Sequence, residues 1–160
     1  MQIERIKGGQ MKTYSAKTIA YTIINYCVDN EFDITNLRLH KFLYFVYGYA
    51  KFSFQSFSAD IVFQAWPYGP VNAEIYNEFK CYGIGSIPRQ RISTYSNNIS
   101  EKDVEIIYTI LSALVCYPTA VLIDQSYSHS AWKDAYAIDK GTIMCDQKIS
   151  EAFPIYLPNA

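Results

Sequence analysis

The run Ser126-Tyr127-Ser128-His129-Ser130, with Asp124 just upstream, holds the residue types of a nucleophile, a general base and an orienting acid. A Ser–His site needs the base within reach of the hydroxyl, a third group to orient the base, and donors for an oxyanion. No GxSxG elbow is present to expose a serine in that way. A histidine among serines at a helix start serves equally as a cap or a packed polar group. A hydrolase using Ser128 or Ser126 with His129 is therefore the lesser reading, and no catalytic residue is assigned.

Metal and cofactor chemistry find less support still. His40 and His129 are the two histidines, and neither lies in an HxxxH or HExxH pattern. The four cysteines, Cys27, Cys81, Cys116 and Cys145, are scattered without a CxxC pair, so neither a zinc knuckle nor a redox motif is expected. Gly8-Gly9 and Gly83-Ile84-Gly85 lack the GK[ST] of a phosphate loop. No metal and no cofactor is expected. Fourteen Lys and Arg against fifteen Asp and Glu give a net charge of −1, which denies the chain the positive field on which nucleic-acid affinity rests. Arg38, Lys41, Arg89 and Arg91 are read as solvated surface charge rather than a basic patch.

Aromatic side chains are the chain's unusual resource: 16% of residues, with 15 Tyr. Tyr pairs a large apolar body with a polar tip and suits half-wet surfaces. Trp66-Pro67-Tyr68-Gly69-Pro70 concentrates that chemistry in a proline-fixed turn. Trp66 and Tyr68 there either fill core or stand at a surface as the anchors that interfaces favour.

The elements that must position these residues are mostly helical. Ser15 caps a helix running to Asn30, with Ile19, Ile23, Tyr26 and Cys27 on one face. Asp33-Ile34-Thr35 caps a second, in which Leu39, Phe42, Leu43, Val46 and Ala50 recur at helical spacing. Leu37, Phe45, Tyr47 and Tyr49 fill much of its remaining circumference, which places this helix near the centre of the fold. Ala59 to Phe63 reads as a short strand. Pro70, at a first helical position, opens a helix through about Tyr82 that Gly83 ends, with Val71, Ile75, Tyr76 and Phe79 on its apolar face. Residues 84–99 read as a long surface loop. Ser100 and Asp103 resemble a capping box ahead of the stripe Val104, Ile107, Tyr108, Leu111, Leu114. Short helices over 119–125 and 131–137 and a terminal turn near 149–153 complete the pattern.

The expected fold is mainly α: a compact helical domain of about five to seven helices, with a minor β-hairpin or strand pair near 57–65 and 90–95. Residues 1–10 read as an N-terminal extension, Met11 as an alternative start, and 11–160 as one domain. The longest apolar run, Phe42 to Ala50, falls far short of the roughly 20 residues of a membrane span. With no secretory signal at the amino end, the expected location is cytoplasmic.

Three segments carry a resemblance. Asp33-Ile34-Thr35-Asn36-Leu37-Arg38-Leu39-His40-Lys41-Phe42-Leu43-Tyr44-Phe45, followed by Gly48, is similar to the "iTnLkLqKLlYf" helix of the Panacea (SocA-like) antitoxin domains of bacteria and their phages. Phe63-Gln64-Ala65-Trp66-Pro67-Tyr68-Gly69-Pro70-Val71 matches that family's "AWxyGPV" segment, with Ile75-Tyr76 and Phe79-Lys80 following. Ser128-His129, Trp132-Lys133 and Tyr136 resemble its carboxy-terminal "TH…W" element. The resemblance spans about 16–153.

The resemblance implies an antitoxin that neutralises a cognate protein toxin, encoded by an adjacent gene, through direct contact. Trp66, Tyr68, Gly69, Pro70, Val71, Tyr76, His129 and Trp132 are then the candidate partner-binding residues. Thr35, Asn36, Leu37, Leu39, Lys41, Leu43 and Tyr44 make up the family helix. The alternative is a phage or mobile-element adaptor that binds a host factor, for example to deliver it to a protease. Neither reading involves a membrane or nucleic acid, and the chain is expected to be a monomer or homodimer.

Overall fold

The computed structural model describes residues 12–54, 56–91 and 99–153. The N-terminal extension 1–10, Met11 and the 92–95 part of the expected strand lie outside the described residues. Within them the protein has seven α-helices and two small two-stranded sheets, which makes it mainly α as the pattern predicts.

β1 (Thr13–Ser15) leads directly into α1 (Ala16–Asp29). Ser15 caps that helix by accepting the Thr18 amide at 3.2 Å, which satisfies one of the unbonded first-turn donors. Thr35 does the same for α2 (Asn36–Ser53), accepting from Arg38 N at 3.2 Å. From Leu39 to Gly48 every residue of α2 is buried. A helix buried all round for nearly three turns must lie at the centre of the layers, and α1, α4, α5 and α7 pack about it. Leu37 is the departure from expectation: it stands 43% exposed in the first turn rather than completing the core.

α4 (Glu101–Leu114) begins at Ser100, whose hydroxyl accepts from Asp103 N at 3.2 Å as the capping pattern requires. Its buried face is Ile106, Ile107, Ile110, Leu111 and Leu114, so the apolar stripe is rotated from the expected one and Tyr108 is exposed. The end of α4 is closed by Arg38, which donates to Val115 O at 3.1 Å, Tyr117 O at 2.9 Å and the Thr119 hydroxyl at 3.0 Å. A guanidinium on terminal carbonyls complements the negative end of the helix. α5 (Thr119–Ser128), α6 (Ser130–Ile138) and α7 (Asp146–Ala152) follow in short succession. Gly48 explains how α7 comes so close to α2. A Cβ at that position would lie 2.1 Å from the Phe153 ring.

The β-structure differs from expectation in both places. β2 (Ser58–Asp60) is shorter than the expected strand and pairs in parallel with β1, with Tyr14 opposite Ala59. Gln90 and Arg91 are in no strand. The stretch expected to be a turn opening a helix is a hairpin: β3 (Gln64–Trp66) and β4 (Gly69–Val71), antiparallel, with Pro67 and Tyr68 at the tip. Pro70 is thus in a strand, and α3 (Ala73–Phe79) is capped two residues later by Asn72, which accepts from Ile75 N at 3.0 Å. A 3₁₀ turn, Lys80–Tyr82, carries the chain to Gly83 at φ 55°, where the expected helix end falls.

Register explains why a proline is tolerated there. Pro70 faces Ala65, whose own amide bonds outward to Thr142 O at 2.9 Å while its carbonyl accepts from Gly141 N at 2.7 Å. The N–H that proline lacks therefore has no partner to disappoint.

Candidate functional site

The hairpin is laid against α2, α5 and α6, and each contact can be traced to one residue. Lys41 is fully buried on α2, and its Nζ donates to Pro70 O at 3.1 Å. That carbonyl points away from β3, so the amine answers an edge group that the ladder cannot. Burial lowers the Lys41 pKa to about 7. The expectation of solvated charge is therefore wrong for Lys41. Arg38 is spent on the α4 terminus and Arg89 pairs with Asp29 at 2.9 Å, so neither joins Lys41 in a basic patch.

Gly69 is held at φ 102° above Lys41 and Ser126. A Cβ there would meet Lys41 Nζ at 2.6 Å and Ser126 Oγ at 2.7 Å, so both the conformation and the close approach require glycine. Ser126 itself is buried and donates to Ile123 O at 2.7 Å. Its role is the floor of the hairpin.

Two donors fix the tip from the other side. Trp132 Nε1 donates to Trp66 O at 3.0 Å, and Tyr127 Oη donates to Pro67 O at 2.5 Å. Trp66 packs on Tyr76 with ring centroids 4.8 Å apart and ties its own Nε1 to Gln64 Oε1 at 2.9 Å. Trp132 meets Tyr127 at a tilt, with centroids 4.5 Å apart, and stacks on Tyr136 at 4.7 Å. Tyr68, at the hairpin tip, is 66% exposed. Val71 is buried and Asn72 amide donates to His40 Nδ1 at 3.3 Å.

The structure divides the expected site residues into two groups. Trp66, Tyr68, Gly69, Pro70, Tyr76 and Trp132 come together at the hairpin, joined from the family helix by Lys41 and by Asn36, whose Nδ2 donates to Tyr76 O at 3.4 Å. Val71 lies in the same hairpin but faces inward. His129 belongs elsewhere. Its Nδ1 lies 2.7 Å from Tyr44 Oη, and its ring packs on Tyr44, Phe45 and Phe153. Burial lowers its pKa to about 4 and raises that of Tyr44, so a neutral imidazole and a neutral phenol share this hydrogen bond. Leu39 and Leu43 are core, and Thr35 is a cap.

The Ser–His pairing that the sequence suggested is not assembled. Ser126 and Ser128 hydroxyls donate to backbone carbonyls of their own helix, at 2.7 Å and 2.6 Å, while His129 engages Tyr44. Among the described residues no group of three or more His, Cys, Asp or Glu could hold a metal ion. No single helix among them is long and apolar enough to cross a membrane. Buried Cys27 has its thiol pushed up to about 11 by burial, and Cys81, Cys116 and Cys145 are exposed and unbridged.

Sequence reasoning passed over Tyr127. Its partner, Pro67 O, lies far away along the chain, and nothing local distinguishes this tyrosine from its neighbours. Tyr136 carried two signals, its place in the carboxy-terminal motif and its position one helical turn after Trp132.

The features gathered at the hairpin define a helical domain that presents a braced aromatic loop and assembles no Ser–His pair beneath it. The family model described as antitoxin SocA-like, Panacea domain, matches residues 39–133, from α2 through the hairpin into α6. The chain belongs to that family, and its membership supports an antitoxin role. No curated protein and no solved structure matches the chain.

Proposed function

We propose that this protein is the antitoxin of a toxin–antitoxin pair and neutralises a protein toxin encoded by a neighbouring gene by binding it directly, with the hairpin tip and its aromatic flank as the contact. Family membership supports the class of activity. The observation that carries the surface is Tyr68: a large aromatic ring, 66% exposed, at the tip of a loop pinned by Trp132, Tyr127 and Lys41. An exposed ring on a rigid mount loses little freedom on binding, which is what an interface anchor requires. Residues 11–160 act as one domain in this reading.

The test is co-expression with the neighbouring reading frame, scored by growth rescue and co-purification. The wild-type chain should rescue growth and hold the toxin in a stable complex. Tyr68→Ala should lose at least tenfold in affinity, as for a hot-spot residue, with its melt unchanged. A neighbour that is harmless alone and forms no complex would refute the pairing.

A further inference from the structure

Among the described residues three buried side-chain polar atoms have no hydrogen-bond partner: Asn36 Oδ1, His40 Nε2 and Ser53 Oγ. Ser53 stands alone at the end of α2. Asn36 and His40 are one helical turn apart on that helix, so their side chains leave the same face with Cβ atoms about 5–6 Å apart. Both are almost fully buried, at 5% and 1% exposure. Both also meet the same turn of α3 and its cap. His40 Nδ1 receives the Asn72 amide at 3.3 Å, and Asn36 Nδ2 donates to Tyr76 O at 3.4 Å, with the Tyr76 ring 6.2 Å from the imidazole.

Each of those bonds fixes the character of the atom that remains. A backbone N–H only donates, so His40 Nδ1 must be bare, and a neutral imidazole then carries its proton on Nε2. Burial, with a smaller push from the adjacent Lys41 charge, lowers the His40 pKa to about 3 and so keeps the ring neutral. A carbonyl only accepts, so the Asn36 amide cannot be turned over against Tyr76 O, and its Oδ1 is the atom left to accept elsewhere. The pair therefore offers one buried donor and one buried acceptor. Unbonded, each would lose its hydration with nothing in exchange.

We propose that an internal water molecule binds between these two side chains, accepting from His40 Nε2–H and donating to Asn36 Oδ1. Two hydrogen bonds of about 2.8 Å meeting at one oxygen hold their outer atoms about 4.5–5 Å apart, comparable with the spacing of side chains one turn apart. A metal cation does not fit, because it needs a bare Nε2, and moving the proton to Nδ1 would set donor against donor at Asn72. An anion would accept from Nε2–H but face the Asn36 oxygen. A hydroxyl both accepts and donates, and water is its smallest carrier. The bound water completes a polar bolt between α2 and α3 behind Tyr76, whose ring packs on Trp66 at 4.8 Å. It is held whether or not a partner protein is bound.

NMR of the unsubstituted full chain is the first test. Long-range proton–nitrogen spectra at pH 7 should show His40 with Nε2 protonated and Nδ1 bare. The Hε2 signal should show cross-relaxation to water with opposite signs in NOESY and ROESY, the mark of a bound molecule rather than of exchange. A protonated Nδ1 overturns the site. An Hε2 signal without cross-relaxation to water overturns it too, since the imidazole would then bond Asn36 directly. So does an Hε2 proton lost to exchange, which would mean that the site is open to bulk solvent. The second test is Asn36→Leu, which should remove the contribution of one long-lived water from the oxygen-17 relaxation dispersion of the solvent while the circular dichroism stays unchanged. An unchanged dispersion in the folded variant overturns the bridge. Should the variant fail to fold, the spectra of the unsubstituted chain decide.

Discussion

Two aromatic clusters in this protein use the same side chains for opposite ends. In the first, Tyr44, Phe45, Phe63 and Phe153 meet edge to face at centroid distances of 5.3 to 5.8 Å, and His129 closes the cluster with its Nδ1 hydrogen-bonded to Tyr44 Oη. In the second, Trp132 packs against Tyr127 and stacks on Tyr136, next to the hairpin that carries Trp66 and Tyr68. The difference lies in where the polar atoms go. The phenol of the buried cluster is answered within the cluster, by His129 at its half-buried edge. In the flank the donors of Tyr127 and Trp132 are spent on the hairpin carbonyls of Pro67 and Trp66, which fixes the hairpin and leaves ring surface outward. One cluster seals the fold; the other mounts a loop.

The comparison breaks first if the sealed cluster can be hollowed cheaply. Phe153 is 2% exposed and touches Tyr44, Phe45, Tyr49 and His129. Phe153→Ala should cost about 3–5 kcal/mol in chemical denaturation, from lost transfer energy plus the cavity. A cost below about 1 kcal/mol would show that α7 does not close the core.

Lys41 sits at the seam between the regions and should give an effect of opposite sign. The unfolded chain takes up a proton at this lysine below its ordinary pKa of 10.5, whereas the folded chain does so only below about 7. Stability therefore falls as pH drops from about 10.5 to 7 and levels off below that. Lys41→Met removes the buried amine, at the cost of leaving Pro70 O unanswered. It should raise stability by roughly 1–3 kcal/mol at pH 7, with the gain shrinking toward pH 10. A loss at pH 7 would mean that the bond to Pro70 outweighs the desolvation of the amine.

Much of the sealed region was legible and much of the flank was not. Ser15, Thr35 and Ser100 mark helix starts by local chemistry, and the apolar spacing of α2 reports its central place because burial all round leaves no polar face. The hairpin has strands of three residues, too short for a period, and Pro70 reads as a helix opener unless one knows that Ala65 bonds the other way. Lys41 reads as surface because charge usually is. Only the fold shows the edge carbonyl it answers. The motif resemblance grouped His129 with the hairpin residues, whereas its ring packs on Tyr44, Phe45 and Phe153, since adjacency in a motif does not say which side of a helix junction a ring faces.

The smallest stability effect is expected at Tyr68, where the two regions differ most. Its ring has no hydrogen bond or ring contact among the described residues and is 66% exposed, so truncation removes little buried area. Tyr68→Ala should shift folding stability by no more than about 0.5 kcal/mol, as for surface substitutions away from special features. The tip should survive because its supports are Tyr127 on Pro67, Trp132 on Trp66 and Lys41 on Pro70, none of which involves the Tyr68 side chain. Amide hydrogen exchange at Gly69 and Val71 would read that support directly. Unchanged protection in Tyr68→Ala, beside faster exchange in Tyr127→Phe, is the expected pair of results. Faster exchange in Tyr68→Ala would mean that the ring holds its own loop, and the flank would then be a second sealed cluster rather than a mount.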